Sequence, residues 1–266
     1  MRLTVIGCSG SMSGPTSPAS CYLVQADTVD AAGQARTTSV VLDLGPGAMG
    51  KLLGHVRPAE IDLLAVSHLH ADHVADLVGM QVYRKWHPDG PLPPLSVLGP
   101  TGTLERLRAI DGGDDGECYE REFRFAEHAP GRPVRVGPLT VESFPVNHPV
   151  EAYGVRITGP SSLPGGPAEV TLAYTGDTDW CDGLVPLAHD ADLLLSEAAF
   201  QEGRESVRGV HLTGRRAGEL ATASETRRLV LTHIQPWTAP EVIRAEAAGA
   251  YGGPIDVAAP DATWTL

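Results

Sequence analysis

Short apolar runs of strand length alternate along this chain with stretches whose apolar residues return at helical spacing. LTVIG, CYLVQA and SVVLDLG predict three strands at the start, in a hairpin-like pattern, with the polar segment DTVDAAGQARTTS between the second and third. A helix is expected over 47–55, opening just after Pro46. IDLLAV is apolar without alternation, as in a strand covered on both faces, and DHVADLVGMQVY then places Val74, Leu77, Val78 and Val82 on one helical stripe. PLSVLG and TGTLERLRAI repeat the strand–helix alternation, IDGGDDGECYERE reads as an acidic loop, and REFRFAEH as a short strand. VRVGPLTVESFPV, YGVRIT and EVTLAYTG are strand-rich, the last two joined by the turn-forming GPSSLPGGPA. ADLLLSEAAF, HLTGRRAGELATAS, RRLVLTHIQ, PEVIRAEAAGAYGG and IDVAAPDATWTL complete an α/β order. So many strands with interspersed helices predict two packed sheets flanked by helices.

No repeat or low-complexity linker divides the 266 residues, so one domain over 1–266 is expected, long enough for a sizeable core. No apolar run approaches the length that crosses a bilayer, and the one in MRLTVIGCSGS is too short for a secretion signal. A soluble, cytoplasmic protein without a membrane partner is the expectation. Cys8, Cys21, Cys118 and Cys181 are scattered, which predicts free thiols rather than a zinc knuckle or a disulfide framework. A net charge of −13 argues against broad nucleic-acid or anionic-membrane binding and favours a small or locally held substrate.

The chemistry concentrates in LLAVSHLHADHVADLVG. There an apolar run ends at Ser67, and His68, His70, Asp72 and His73 follow within six residues. Imidazole nitrogen and carboxylate oxygen suit a divalent transition ion, and a strand-to-helix turn aims such side chains into one volume. His68 and His70 point to one side while Asp72 and His73 already turn into the next helix, which implies two adjacent metals rather than one tetrahedral ion. Further candidates stand directly after apolar runs: His148 after VESFPVN, Asp177 after TLAYTG, Glu197 after ADLLLS and His233 after RLVLT. Strand ends on one side of a sheet present such side chains to a shared cleft. Taken singly, a capped or surface histidine and a turn carboxylate explain them as well; their joint recurrence after HxHxDH is what points to a site.

These pieces, SHLHADH, NHPVEAYGVRI, YTGDT, SEAAF followed by HLTGRRAGELA, and LTHIQP, occur in an order that resembles the metallo-β-lactamase superfamily, in its ribonuclease Z-like and phosphodiesterase-like branch. The resemblance spans nearly the whole chain. It implies an αββα sandwich of two mixed sheets with a dinuclear site at the sheet edges, zinc first and manganese or iron compatible. Carried over by position, His68, His70 and His148 would hold one metal, Asp72, His73 and His233 the other, and Asp177 would bridge them. Asp43 in DLGPG would brace the metal-bearing loop, although a plain strand-end turn reads equally well there. His211 would donate a proton, oriented by Glu197, and Asp72 counts with these two as catalytic as well as a ligand; a helix-start histidine with no chemical role is the alternative for His211. His55, His87, His128 and His189 fall outside every motif.

Two departures matter. Only a short hairpin occupies the place of the long tRNA-gripping arm of ribonuclease Z, and Ser196 precedes Glu197 where histidine is common. The leading expectation is therefore hydrolysis of a small phosphodiester, a cyclic nucleotide or a related compound, through a metal-bridging hydroxide. Structured RNA is not expected as a substrate, unless Arg204, Arg208, Arg215 and Arg216 near His211 form a basic patch. The alternatives are a lactone, ester or thioester hydrolase, a tRNA 3′-processing endoribonuclease, and an inactive metal-binding regulatory protein. Homodimers are common in the family.

Overall fold

A computed structural model describes residues 1–29, 33–112 and 118–266. Two seven-stranded mixed sheets face each other. The first sheet contains β1 (Arg2–Gly7), β2 (Cys21–Val29), β3 (Ala35–Leu42), β4 (Leu63–Ala65), β5 (Leu95–Gly99), β6 (Phe123–Glu127) and, at its edge beside β1, β14 (Thr263–Thr265). The second runs β13 (Ile255–Val257), β12 (Leu229–Thr232), β11 (Leu193–Glu197), β10 (Glu169–Tyr174), β9 (Tyr153–Pro160), β8 (Leu139–Pro145), β7 (Val134–Val136). Each sheet joins an antiparallel half to a parallel half: β3 to β6 are parallel in one, β10 to β13 in the other.

The strands supply two apolar faces. Inward residues such as Leu3, Tyr22, Val40, Leu42, Ile157, Leu172, Leu195 and Val230 form the layer between the sheets. The outer face of the first sheet packs under α1 (Ala48–Leu52), α2 (Ala71–Val74), α3 (Leu77–Lys85) and α4 (Thr103–Asp111). That of the second packs under α5 (Leu184–Ala188), α6 (Gly214–Ala223) and α7 (Pro240–Ala248). Helices thus cover both outer faces, as expected from the alternation. Among the described residues no helix is long and apolar enough to cross a membrane.

Two local expectations are corrected, and one helix stands where none was expected. The helical stripe after the histidine motif is not one helix but two, because the chain turns at Ala75–Asp76. There Asp76 N–H donates to Leu44 O at 3.1 Å and its carboxylate accepts Met49 N–H at 2.8 Å. Past this turn Val82 is 49% exposed, and Met80, Gln81 and Arg84 take the buried face. The polar segment after CYLVQA is largely strand: Asp27, Thr28 and Val29 pair with Thr37, Arg36 and Ala35, where β-branched side chains suit an exposed ladder. Residues 30–32 of that segment, and 113–117 of the acidic loop, lie outside the described residues. Finally, α5 contains Pro186 and carried no helical signal, yet its Leu184, Leu187 and Ala188 are buried.

Candidate metal centre

The ends of parallel strands in a sheet gather ligand-binding residues at one edge, and here both sheets do so at the same edge. β4 leads into Ser67–His73, β10 into Asp177, β11 ends on Glu197, and β12 leads into His233. The edge is stitched across the sheets by Tyr153 N–H donating to Ser67 O at 2.9 Å and by a bridge between His68 and Ala152. Backbone shape is also specified. Gly176 sits at φ +58°, and a Cβ there would meet Tyr153 O at 2.8 Å and Ser67 at 3.0 Å, so the turn before Asp177 requires glycine. Ser11, Asp43 and His233 adopt left-handed backbone without being glycine, a conformation that concentrates at functional sites.

The seven expected metal ligands come together in two groups. His68, His70 and His148 form one, and Asp72, His73, Asp177 and His233 the other, with the donor atoms of each group within 4.8 Å of one another. In the first, His70 Nδ1 lies 3.1 Å from both His68 Nε2 and His148 Nε2. In the second, Asp177 Oδ1 is 3.3 Å from His73 Nε2, and its Oδ2 is 3.1 Å from His233 Nε2. The same Oδ2 stands 3.8 Å from His68 Nε2, so Asp177 faces both groups.

A buried polar atom without a partner marks an interaction still to be made. His73 Nε2 and Asp177 Oδ1 are buried and form no hydrogen bond, although they face each other at 3.3 Å inside the second group. Crowded imidazole nitrogens and carboxylates with these two unsatisfied donors fit divalent transition ions.

Around the donors, neighbouring groups fix which ring nitrogen faces inward, as outer partners of metal-binding histidines do. Asp43 is fully buried. Its Oδ1 accepts Ser67 N–H at 2.6 Å, and its Oδ2 accepts Ser67 Oγ–H at 2.8 Å, Tyr174 O–H at 2.8 Å and His73 Nδ1–H at 2.7 Å. His148 Nδ1–H donates to Val210 O at 2.8 Å. His233 Nδ1 lies 2.9 Å from Ser20 Oγ, and its Nε2 accepts Ser11 N–H at 3.2 Å, a contact that a bound ion would replace.

Electrostatics sort the histidines into two kinds. Burial holds the imidazoles of His68, His70 and His148 below their usual pKa, which favours the neutral, ligating form. Burial opposes a charge on His73 too, but Asp177 and Asp43 outweigh it and raise this ring well above the usual value. The reciprocal effect keeps Asp177 ionised: burial disfavours its charge, and His233 and His73 lower its pKa well below the ordinary range regardless.

Beside the donors stands the His211–Glu197 pair, with Nδ1 2.9 Å from Glu197 Oε1. Glu197 is fully buried, and its carboxylate also accepts the N–H groups of Thr178 at 2.9 Å, Leu212 at 3.2 Å and Ala199 at 2.9 Å. Burial works against charge on His211, but Glu197, by charge and hydrogen bond, raises its pKa to about 9. Of the four arginines singled out near His211, Arg216 is paired with Asp179, Arg204 with Glu205 and Arg215 with Glu219. Most of that patch is therefore neutralised.

Sequence reasoning did not find Ser67, Tyr174, Ser20 or the Val210 carbonyl. Ser67 was visible as the last polar residue before the histidines; the other three reach the site only through tertiary packing. His128 proves to be a buried link between the sheets, 2.7 Å from Ser143 Oγ and 2.8 Å from Val66 O, while His55 pairs with Asp261 on the surface.

A family model of the beta-lactamase superfamily domain matches residues 38–234. An uncharacterized protein of Mycobacterium tuberculosis is 40% identical over 268 residues, 100% of this chain and 92% of its own length. The probable metallo-hydrolase YhfI of Bacillus subtilis is 27% identical over 269 residues, 99% of each. Its crystal structure has a TM-score of 0.81, covering 99% of this chain and 98% of that one. The short form of human tRNase Z shares the fold, with a TM-score of 0.71 at 18% identity over 100% of this chain and 99% of its own.

Proposed function

The chain belongs to the beta-lactamase superfamily and is a metallo-hydrolase of that family, and from this premise we propose that it hydrolyses a small phosphodiester, such as a cyclic nucleotide, with two divalent ions. The observation that carries the reading is the buried His211–Glu197 pair beside two converging donor groups. Splitting an alkyl phosphodiester expels a poor alkoxide, which needs a proton, whereas ester or lactone hydrolysis depends less on such a donor.

His68, His70 and His148 would hold one ion, Asp72, His73 and His233 the second, and Asp177 would be shared between them. Zinc is the first choice for so many imidazoles; the carboxylates also permit manganese or iron. When bound, the ions would supply Lewis-acid polarisation of the phosphoryl group and acidify the attacking water. Asp43 keeps the His73 proton on Nδ1, so that Nε2 remains a donor. Glu197 holds Nδ1 of His211, which leaves Nε2–H to protonate the departing oxygen. Asp72 Oδ2, 3.5 Å from His73 Nε2 and 3.7 Å from His233 Nε2, stands among the donors that would hold the second ion beside the attacking water.

Two features support a small substrate. Only residues 161–168 connect β9 to β10, too few for an arm that grips RNA, and the net charge is −13. Binding structured RNA takes many cationic contacts and makes affinity fall steeply with salt. The test is a panel run on metal-loaded protein: cyclic nucleotides and other small diesters, lactones, thioesters and precursor tRNA, at several salt concentrations. Turnover of a small diester that varies little with salt is expected. Preference for lactones or thioesters, or salt-sensitive cleavage at the tRNA 3′ end, would overturn the proposal.

A further inference from the structure

Two residues after Asp177 stands a second buried carboxylate, Asp179, that belongs to neither donor group. Its Oδ2 accepts Gly209 N–H at 2.7 Å. Its Oδ1 accepts Trp180 N–H at 2.7 Å and pairs with Arg216 Nη1 on α6. The Asp179 backbone N–H donates to Asn147 O at 2.8 Å, and Asn147 N–H donates to Thr178 Oγ1 at 3.1 Å. One residue therefore joins the three segments that carry His148, Asp177 and His211.

What Gly209 leads into gives this junction its consequence. The next residue is Val210, whose carbonyl holds His148 Nδ1–H, and the one after is His211 itself. Gly209 is in left-handed backbone at φ +75°, so the segment turns sharply where Asp179 grips it. The Asp179–Arg216 pair is largely withdrawn from solvent, with side chains 7% and 12% exposed. A buried ion pair is weak evidence for stability, because desolvation offsets most of the attraction, so its position is the more informative property.

We propose that Asp179, clamped by Arg216, is a positioning residue that fixes residues 209–211, setting the orientation of His148 through Val210 and the aim of His211 at the leaving group. This rests on the reading of His148 as a ligand and His211 as proton donor. Misplacing a catalytic group by about 1 Å can cost roughly 10²-fold in rate. Loss of an outer partner typically weakens metal affinity about 10- to 100-fold.

The test uses the full chain and a double-mutant cycle. Asp179→Asn keeps the size but turns an amide toward donors that need an acceptor, and Arg216→Met removes the clamp from the other side. Each is expected to lower kcat on an alkyl phosphodiester about 10- to 100-fold, with KM nearly constant and a p-nitrophenyl diester largely spared. In a His211→Ala background, Asp179→Asn should cost little more. Zinc affinity, measured by competition with a chromophoric chelator, should fall about tenfold or more in both variants. Arg216→Lys should restore much of both properties.

Equal slowing of both diesters, full additivity with His211→Ala, and unchanged zinc affinity would together mark a merely structural residue and overturn the proposal. If Asp179→Asn does not fold, Arg216→Met decides by the same criteria. Should His211→Ala itself show no leaving-group preference, the proton-donor reading fails separately. Zinc affinity then decides for Asp179: a loss supports the clamp on His148, and no change overturns it.

Discussion

Replacing Asp43 by Asn isolates the outer support of the candidate centre without touching a ligand. The Asp43 carboxylate meets four donors, three of them on Oδ2 and one, Ser67 N–H, on Oδ1. An asparagine satisfies most of them by placing its carbonyl at Oδ2. Its amide nitrogen then faces the Ser67 N–H across what is now a 2.6 Å contact, donor against donor. Leaving one buried donor unmatched costs about 1–3 kcal/mol. If that cost falls on the ligating arrangement of His73 and the Ser67–His68 turn, metal affinity drops roughly 5- to 150-fold, since 1.4 kcal/mol is a factor of ten. Loss of the carboxylate also removes a charge that favours the proton on His73 Nδ1. The assay is zinc competition against a chromophoric chelator, with circular dichroism to verify that the variant is folded. A folded Asp43→Asn protein whose zinc affinity stays within about twofold of wild type would refute the bracing role, because outer partners of metal ligands normally contribute 10- to 100-fold.

Asp177→Ala should release at least one ion and abolish turnover, because the carboxylate faces both donor groups; elemental analysis of the purified variant checks this. His211→Ala should slow alkyl diesters about 10²- to 10⁴-fold and nitrophenyl diesters far less, with metal content intact, and Glu197→Gln should reproduce part of the loss. For His128, burial lowers the imidazole pKa and the Val66 carbonyl only partly offsets it. The unfolded chain then takes up a proton near pH 6.5 that the folded chain refuses, so this residue makes stability fall as pH drops from 6.5 through its folded pKa. Thermal melts of metal-free His128→Asn across that range should show a shallower acid-side decline than wild type.

How much of this was legible beforehand differs from residue to residue. His68, His70, Asp72 and His73 could be found because their proximity is local: a strand end and the following turn place them together whatever the rest of the chain does. His148, Asp177, Glu197 and His233 were found because each closes an apolar run; β10, β11 and β12 are parallel, and β8, two antiparallel pairings from β10, runs in the same direction, so all four ends reach one edge. Side-chain orientation was another matter. The carbonyl that orients His148 belongs to Val210, 62 residues away, and a main-chain acceptor leaves no residue-type signal. Asp43 could equally have been a plain turn residue, since nothing local shows that Ser67, His73 and Tyr174 converge on it. The break at Ala75–Asp76 was hidden for a similar reason: the apolar spacing continues through it, and only the tertiary bonds to Leu44 and Met49 turn the chain.

The central claim, a two-ion centre shared through Asp177, is tested most directly by anomalous diffraction from crystals of the zinc-loaded protein, recorded on both sides of the metal absorption edge. Two peaks about 3.5–4 Å apart are expected, as in two-metal hydrolytic sites. One should lie among His68, His70 and His148, the other among Asp72, His73 and His233, with Asp177 reaching both. A single peak at full occupancy, or ions bound away from these seven residues, would contradict it.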